Sequence, residues 1–267
     1  LTLVPTMMGG LFHVDGQGNT WRTYLFIEGA RTYDTITDLR HVRGAARAFG
    51  LFSRLVADLP EPRLHETITD FHHTPKRYAA FEEALRRDVC GRAAQVRAEI
   101  DFVMARRGEA GRLVDLVESG RVPLRITHND TKLNNVMIDD ATGDGVCVID
   151  LDTVMPGLPM YDFGDAVRSA AKRGSEDERD LSKVSLDKTL FEALAQGYLE
   201  ACRDTLTPLE IGHLTWGAKL MTFECGMRFL TDYLAGDVYF KTHRPGHNLD
   251  RCRTQFQMVR SMEAQSA

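Results

Sequence analysis

Residues 125–152 read RITHNDTKLNNVMIDDATGDGVCVIDLD. His128 stands two residues before Asp130, and Asn135 stands five residues after it. We expect Asp150 to end an apolar strand that pairs back on the strand following Asn135. A polar β-hairpin whose acids only cap turns does not require this order of side chains. The stretch therefore predicts a catalytic loop of the His-x-Asp-x-x-x-x-Asn type that serves phosphoryl transfer, followed by a metal-binding aspartate.

Each residue of this loop has a predicted role. A carboxylate at Asp130 can orient an acceptor hydroxyl in line with the leaving oxygen and take its proton. The amide oxygen of Asn135 and the carboxylate of Asp150 are hard ligands of the kind that Mg²⁺ prefers. Lys132 can place its ammonium against the phosphoryl oxygens as charge develops. His128 belongs to the same catalytic group, and we expect it to brace the loop by hydrogen bonding rather than to shuttle protons.

A second aspartate motif, Asp162-Phe163-Gly164, has the letters of the metal-binding motif of protein kinases. It lies much further beyond Asp130 than Asp150 does, and it stands where a helix is expected to open. We therefore assign the metal to Asp150. Asp162 is interpreted as a residue at a helix N-terminus that ties neighbouring loops together.

The composition limits the possible partners. The chain of 267 residues carries 33 Lys and Arg against 38 Asp and Glu, a formal net charge of −5. A mildly acidic protein is not expected to bind nucleic acid, and no run approaches the roughly 20 apolar residues that span a membrane. The five cysteines are scattered without a CxxC pair, which argues for a reducing compartment. Together with the lack of a leader at the start, this predicts a cytoplasmic protein.

Periodicity along the chain predicts two unequal parts with a ligand in the cleft between them. We expect residues 1–36 to be the remainder of a small nucleotide-binding lobe with its hinge, and residues 37–267 to be a helical lobe with the catalytic loop and the acceptor site. Strands are predicted at 1–5, 11–14 and 20–27, a hairpin turn at 15–19, and a β-rich island at 124–154. Helices are predicted from Thr37 to Pro60 and at 75–89, 92–107, 111–119, 187–203, 208–233 and 248–262.

The residues that carry this chemistry also resemble a known family. The stretch 128–168, with GNTWR at 18–22, FIEG at 26–29, RFLTDYL at 228–234 and YF at 239–240, resembles the aminoglycoside phosphotransferase/choline kinase superfamily. Within it, the likeness is greatest to the N-acetylhexosamine 1-kinase branch. The resemblance implies an α+β, protein-kinase-like bilobal fold. It also implies that ATP and Mg²⁺ are used to phosphorylate the anomeric hydroxyl of N-acetylglucosamine or N-acetylgalactosamine.

By motif position, the resemblance assigns the base to Asp130, which would also contact the substrate, and the metal ligands to Asn135 and Asp150. It further implies that Arg228 and Tyr239 contact the sugar, because a guanidinium is a forked donor and a tyrosine offers an apolar face with a polar tip. An alternative stays open, in which Arg228 pairs with an acid and its apolar neighbours are core residues. The connector can present backbone groups to adenine through the predicted cofactor residues Glu28, Gly29, Ala30 and Thr32.

The chain departs from the family in its small lobe. Neither the phosphate-covering loop nor the lysine that holds the α- and β-phosphates has a counterpart, and residues 1–28 resemble only the last strands of that lobe. The sequence begins with Leu1 inside a strand-like run, so we expect it to be the later part of something longer, with a small lobe that is incomplete at its N-terminus. Two alternatives follow: a kinase of another alcohol, such as an aminoglycoside, choline or homoserine, or a truncated, inactive sugar-binding remnant.

Overall fold

The N-terminal segment forms two separate antiparallel pairs of short strands. The computed structural model describes residues 1–35, 38–59 and 64–265. Its first strands are β1 (Leu3–Val4), β2 (His13–Val14), β3 (Thr20–Trp21), β4 (Thr23–Tyr24) and β5 (Ala30–Arg31). Strand β1 pairs with β4, and β2 pairs with β3. The predicted strand at 20–27 is thus wrong as a single element, because the chain changes partner at Arg22, whose side chain pairs with Asp152.

The predicted hairpin turn is confirmed between β2 and β3. The Asp15 carboxylate accepts hydrogen bonds from the backbone N–H groups of Gln17 and Asn19, both at 2.9 Å, and from Nε1 of Trp21 at 2.8 Å. These donors hold the pKa of Asp15 well below its usual range. The strands at 1–5 and 11–14 are shorter than predicted, because two-stranded pairs leave apolar side chains such as Leu11 and Phe12 exposed rather than packed.

The connector joins the two parts of the chain through a three-stranded sheet. The further strands are β6 (Arg125–Thr127), β7 (Val136–Asp139), β8 (Gly145–Val148), β9 (Met155–Gly157), β10 (Lys172–Arg173) and β11 (Ser185–Leu186). Strands β5, β7 and β8 form one sheet in that order, while β6 pairs with β9 and β10 with β11. The Arg31 guanidinium donates two hydrogen bonds, of 2.6 and 2.9 Å, to the Asp140 carboxylate. The connector is therefore the outer strand beside the catalytic hairpin.

Most of the chain beyond the connector is helical. The helices are α1 (Leu39–Leu55), α2 (Thr74–Arg87), α3 (Arg97–Met104), α4 (Arg112–Glu118), α5 (Pro159–Ala170), α6 (Lys188–Cys202), α7 (Pro208–Gly212), α8 (Leu214–Ala235) and α9 (His247–Gln265). This α+β architecture, with a small β-rich part and a helical part, is the predicted fold class. The predicted domain boundary between residues 36 and 37 and the predicted helix end at Pro60 lie outside the described residues.

Two predicted helices differ from the observed ones. The stretch 208–233 is split at His213, because Glu210 both closes a capping box with Thr207 and pairs with Arg125 on β6 at 2.6 Å. These contacts fix α7 separately from α8. The helix predicted at 92–107 begins as a 3-10 turn and becomes α-helical only from Arg97 to Met104.

Helices α5 and α8 pack with their backbones in direct contact. A Cβ atom at Gly164 would lie 2.4 Å from the carbonyl oxygen of Gly217, and a Cβ at Gly217 would lie 2.3 Å from that of Met160. Neither position has room for a methyl group. The glycine of the DFG-like motif is therefore a packing residue that lets α8 approach α5 closely.

Candidate active site

His128 fixes the catalytic loop from inside the protein. Its side chain is fully buried, and Nε2 donates to the Ile149 carbonyl at 2.9 Å. The ring lies against the edges of Phe49 and Phe52 of α1, at centroid distances of 5.5 and 5.7 Å. The expected bracing by hydrogen bonding is what these contacts provide. The ring is buried under the loop, and a supporting role for His128 in catalysis stays a prediction.

Asp162 holds the same loop from α5. Its two carboxylate oxygens accept the backbone N–H groups of His128 and Asn129 at 2.9 and 2.7 Å. The hydroxyl of buried Thr131 donates to the Asp162 carbonyl. The prediction that Asp162 ties the loops together is confirmed, although α5 begins earlier, at Pro159. With both oxygens engaged and the side chain buried, Asp162 is not positioned to bind a metal ion.

Asn129 was not singled out by the sequence, yet it forms the turn that precedes the predicted base. It has a left-handed backbone, with φ of 64°, which asparagine tolerates better than most residues. Its Nδ2 donates to the carbonyls of Thr127, Thr153 and Met155 at 3.2, 3.0 and 3.3 Å. The turn is therefore fixed to strands β6 and β9, and Asp130 follows it directly.

The predicted base, Asp130, is in contact with two other predicted residues. Lys132 Nζ lies 2.9 Å from Oδ1, and Nδ2 of Asn135 donates to Oδ2 at 3.2 Å and to the Asp130 carbonyl at 2.8 Å. Burial lowers the pKa of Lys132, but the charge of Asp130 and the hydrogen bond to it more than offset this, so that the pKa is raised. Lys132 is therefore a cation at neutral pH.

Asn135 and Asp150 present oxygen atoms that suit Mg²⁺. Because the Asn135 amide nitrogen donates to Asp130, its oxygen is the free end, and no described residue donates to it. Ile149 is bonded through its N–H to the Asn135 carbonyl at 2.9 Å. Asp150 follows Ile149, two residues beyond the end of β8, with an exposed side chain and a left-handed φ of 60°. One amide and one carboxylate fit a Mg²⁺ ion whose remaining ligands are phosphate and water.

The predicted cofactor residues lie along the connector. The Gly29 carbonyl accepts the N–H of Asp140 at 2.9 Å, and Ala30 pairs with Asp139. Glu28 and Thr32 are exposed. Since β5 is the outer strand of its sheet among the described residues, its second edge can offer N–H and C=O groups to a planar ring.

A cavity of about 370 Å³ lies between the catalytic loop and α8. We call it the acceptor pocket; its wall includes Asp130, Lys132, Phe71, Glu176, Arg228 and Tyr239. The structure thus brings the predicted base and both predicted sugar contacts to one cavity, although they are about a hundred positions apart in the chain.

Arg228 stands in this pocket among aromatic rings. Its guanidinium carbon lies 5.2 Å from the ring centre of Phe71, 5.9 Å from that of Tyr239 and 5.5 Å from that of Phe240. It forms no ion pair with any acid in the described part of the chain. Its neighbour Phe229 is buried in the core. The expectation that its apolar neighbours are core residues is confirmed, the expected pairing of Arg228 with an acid is not found among the described residues, and the sugar contact stays a prediction for a side chain that lines the pocket.

Asp232 positions Tyr239, and the sequence analysis missed it. Its carboxylate is buried and accepts the N–H groups of Val238, Tyr239 and Phe240 at 2.9, 2.8 and 2.9 Å, and Nδ2 of Asn248 at 2.8 Å. An aspartate four residues before the glycine that ends the helix, followed by a short aromatic loop, was the available signal. The loop after α8 is organised around this one carboxylate.

A helical part that carries the catalytic loop, beside a small β-rich part, defines a phosphotransferase of the protein-kinase-like class. The model of the phosphotransferase enzyme family (APH) matches residues 4–209, more than half of the chain, and the protein belongs to this family. It is a kinase that acts on an alcohol acceptor. Kinases of this family use ATP and a divalent metal ion. None of the helices in the described ranges is long and apolar enough to cross a membrane.

Proposed function

We propose that this protein is an ATP- and Mg²⁺-dependent kinase that phosphorylates the anomeric hydroxyl of an N-acetylhexosamine, either GlcNAc or GalNAc, and belongs to the N-acetylhexosamine 1-kinase branch. The observation that carries the proposal is the acceptor pocket, where Asp130 shares one cavity with Arg228 and Tyr239. An aromatic face and a forked donor suit a sugar ring and its oxygens.

Charge in the pocket favours a neutral acceptor over a cationic one. The acidic side chains in its wall are each paired; for example, Asp165 and Glu176 both contact Arg168, at 2.7 and 3.3 Å. By contrast, the basic side chains of Arg228 and Lys241, which also line it, have no ion-pair partner within the described ranges. A polyamine or a quaternary ammonium would meet uncompensated positive charge there. Aminoglycosides and choline are therefore disfavoured, whereas a neutral N-acetyl sugar is accepted.

In the proposed reaction, Asp130 orients the anomeric hydroxyl and accepts its proton as the terminal phosphoryl group transfers directly. Lys132 stabilises charge on that group. Asn135 and Asp150 would hold Mg²⁺, which supplies charge neutralisation at the phosphates. Glu28, Gly29, Ala30 and Thr32 would flank the adenine.

The proposal extends to the organisation and location of the chain. Residues 1–36 would be the nucleotide side and hinge, and residues 37–267 the side that binds the acceptor. The five cysteines are all unpaired in the structure, which supports a reducing compartment, and we assign the protein to the cytoplasm.

An acceptor screen tests the function. The protein is incubated with ATP and Mg²⁺ and with GlcNAc, GalNAc, homoserine, choline or an aminoglycoside, and products are identified by ³¹P NMR and mass spectrometry. We expect an acid-labile hexosamine 1-phosphate. Phosphorylation of an amine or of homoserine, but not of a hexosamine, would exclude the sugar assignment. Saturable hexosamine binding with no product from any acceptor would instead support the inactive remnant.

A further inference from the structure

His72 bridges the acceptor helix and the catalytic loop. Its Nδ1 lies 3.1 Å from Oε1 of Glu224 on α8, and its Nε2 lies 3.0 Å from the carbonyl oxygen of Asn129. Both side chains are buried, with 8% of His72 and 1% of Glu224 exposed. The ring also lines the acceptor pocket. One side chain thus touches the two elements whose relative position sets the distance between the base and the acceptor.

The hydrogen-bond partners define the protonation of this ring. A backbone carbonyl only accepts, so Nε2 of His72 carries a proton. Glu224 receives a second donor, Oγ1 of Thr74, at 2.6 Å from Oε2. Burial raises the pKa of Glu224, but its hydrogen bond to His72 outweighs this and the pKa is lowered. Nδ1 of His72 faces this carboxyl group, so the ring joins α8 and the catalytic loop through its two nitrogens.

The carbonyl that His72 binds belongs to the residue that turns the loop. Asn129 holds its left-handed conformation immediately before Asp130. At the other end of the bridge, Glu224 lies one helical turn before Arg228 on α8, and residues four apart share a helix face. The bridge therefore joins the peptide next to the base to the helix face that carries the acceptor contact.

We infer that His72 is a positioning residue for phosphoryl transfer: held by Glu224 through Nδ1, it donates through Nε2 to the Asn129 carbonyl and fixes the catalytic loop against α8. The inference rests on the proposed function in that α8 is taken as a wall of the acceptor site. Stability alone does not require such a bridge, because a buried ion pair contributes little compared with apolar residues of similar volume.

Steady-state kinetics of His72→Gln and Glu224→Gln test the inference. We expect kcat to fall about tenfold or more, with the KM for ATP and acceptor within about threefold of the wild type. The matched control is His65→Gln, since His65 is exposed and makes no hydrogen bond, ion pair or ring contact with the described residues. Unchanged kcat in both folded variants overturns the inference. Should His72→Gln not fold, Thr74→Val removes one donor from Glu224 and is expected to lower kcat in the same direction.

An apolar replacement separates positioning from simple support. The triple variant His72→Leu, Thr74→Val, Glu224→Leu removes every polar group of the bridge together. A positioning role predicts a thermal midpoint near that of the wild type with kcat still reduced. Recovery of full kcat would show that the bridge only fills space, and would overturn the inference.

A spectroscopic readout keeps the test independent of the acceptor. In ¹⁵N NMR spectra of the histidine rings, we expect the Nε2 signal of His72, assigned by its loss in His72→Gln, to be that of a protonated nitrogen. The amide signals of Asn129 and Asp130 should shift in His72→Gln and stay in place in His65→Gln. An unprotonated Nε2 or unmoved loop signals would refute the inference, even if no hexosamine is phosphorylated and the proposed function has failed.

Discussion

Replacing Asp232 with asparagine tests whether the loop after α8 forms the acceptor site. The substitution keeps the size of the side chain but exchanges one oxygen for an NH2 group. In the wild type, one oxygen accepts two backbone N–H groups, and the other accepts the Phe240 N–H and the Asn248 amide. The amide oxygen of asparagine can accept one of these two pairs of donors. Its NH2 group then faces the other pair, and a donor cannot accept from a donor. Two hydrogen bonds to a charged group are therefore lost.

The magnitude follows from these contacts. A hydrogen bond to a charged group contributes about 1.5–3 kcal/mol, so two are worth about 3–6 kcal/mol. Val238 and Tyr239 are exposed, at 78% and 66%, and their N–H groups can bind water when the loop opens. The lower figure, about 3 kcal/mol, is therefore the better guide, and it corresponds to about a hundredfold change in the equilibrium constant between the closed and the open loop.

The assay is steady-state kinetics with hexosamine and ATP varied separately. The loop after α8 contains Tyr239 and none of the residues of the catalytic loop. The KM for the acceptor should therefore rise by about 10- to 100-fold, while the KM for ATP stays near the wild-type value. Asp204→Asn is the control, since the Asp204 side chain is exposed and makes no hydrogen bond or ion pair with the described residues. If Asp232→Asn is folded and its acceptor KM equals that of the control, Asp232 does not organise the acceptor site and the assignment of Tyr239 fails with it.

Three further changes probe the base, an ion pair and the helix packing. Asp130→Asn is expected to lower turnover by about 10²- to 10⁴-fold with ATP affinity retained, as measured by kinetics and calorimetry; an unchanged rate would contradict its role as base. Burial raises the pKa of Glu210, but the bond from Arg125 outweighs it and the pKa is lowered. The stabilisation that ionised Glu210 gives the folded state is thus complete above about pH 4.3 and is lost as the pH falls through its folded-state pKa. In Glu210→Gln, the thermal midpoint should therefore fall less steeply with pH below about pH 4. Gly217→Ala, whose Cβ would lie 2.3 Å from a backbone carbonyl of α5, should cost about 1–3 kcal/mol of unfolding free energy, whereas Gly212→Ala, with open space around it, should cost less.

The catalytic loop could be predicted from sequence because its signals are local. His128, Asp130 and Asn135 come just before the β7–β8 hairpin and Asp150 comes just after it, and the two strands pair as expected, with Val136 opposite Val148. Each of these features needs only short-range geometry, namely a tight turn and a strand of alternating burial. The same holds for the family resemblance in this stretch, which the match at residues 4–209 confirms at the level of the family.

What the sequence did not reveal depends on distant partners. Nothing local distinguishes His72 from His73, and only the fold brings His72 to Glu224 of α8. The break of the predicted helix at His213 likewise depends on Arg125, which holds Glu210 from a strand much earlier in the chain. A periodic pattern of apolar residues indicates which side of a helix is buried. It does not indicate which distant side chain a buried charged residue will pair with.

In the proposed reaction, one of the contacts of the Asp130 carboxylate must break before the phosphoryl group is transferred. Oδ1 binds Lys132 and Oδ2 binds Asn135, so the carboxylate has no oxygen that is free of a donor and ready for an acceptor hydroxyl. Lys132 is the partner that can leave, because its side chain is 46% exposed and a pair at such a surface is worth about 0–1 kcal/mol. A phosphoryl group with several negative oxygens competes easily with one carboxylate for that ammonium. Nucleotide binding would then draw Lys132 away and expose the base, which predicts that Lys132→Met retains acceptor binding in the absence of ATP but loses turnover, as calorimetry and kinetics would show. If Lys132→Met instead turns over at the wild-type rate, neither the charge nor the movement of Lys132 has a part in transfer.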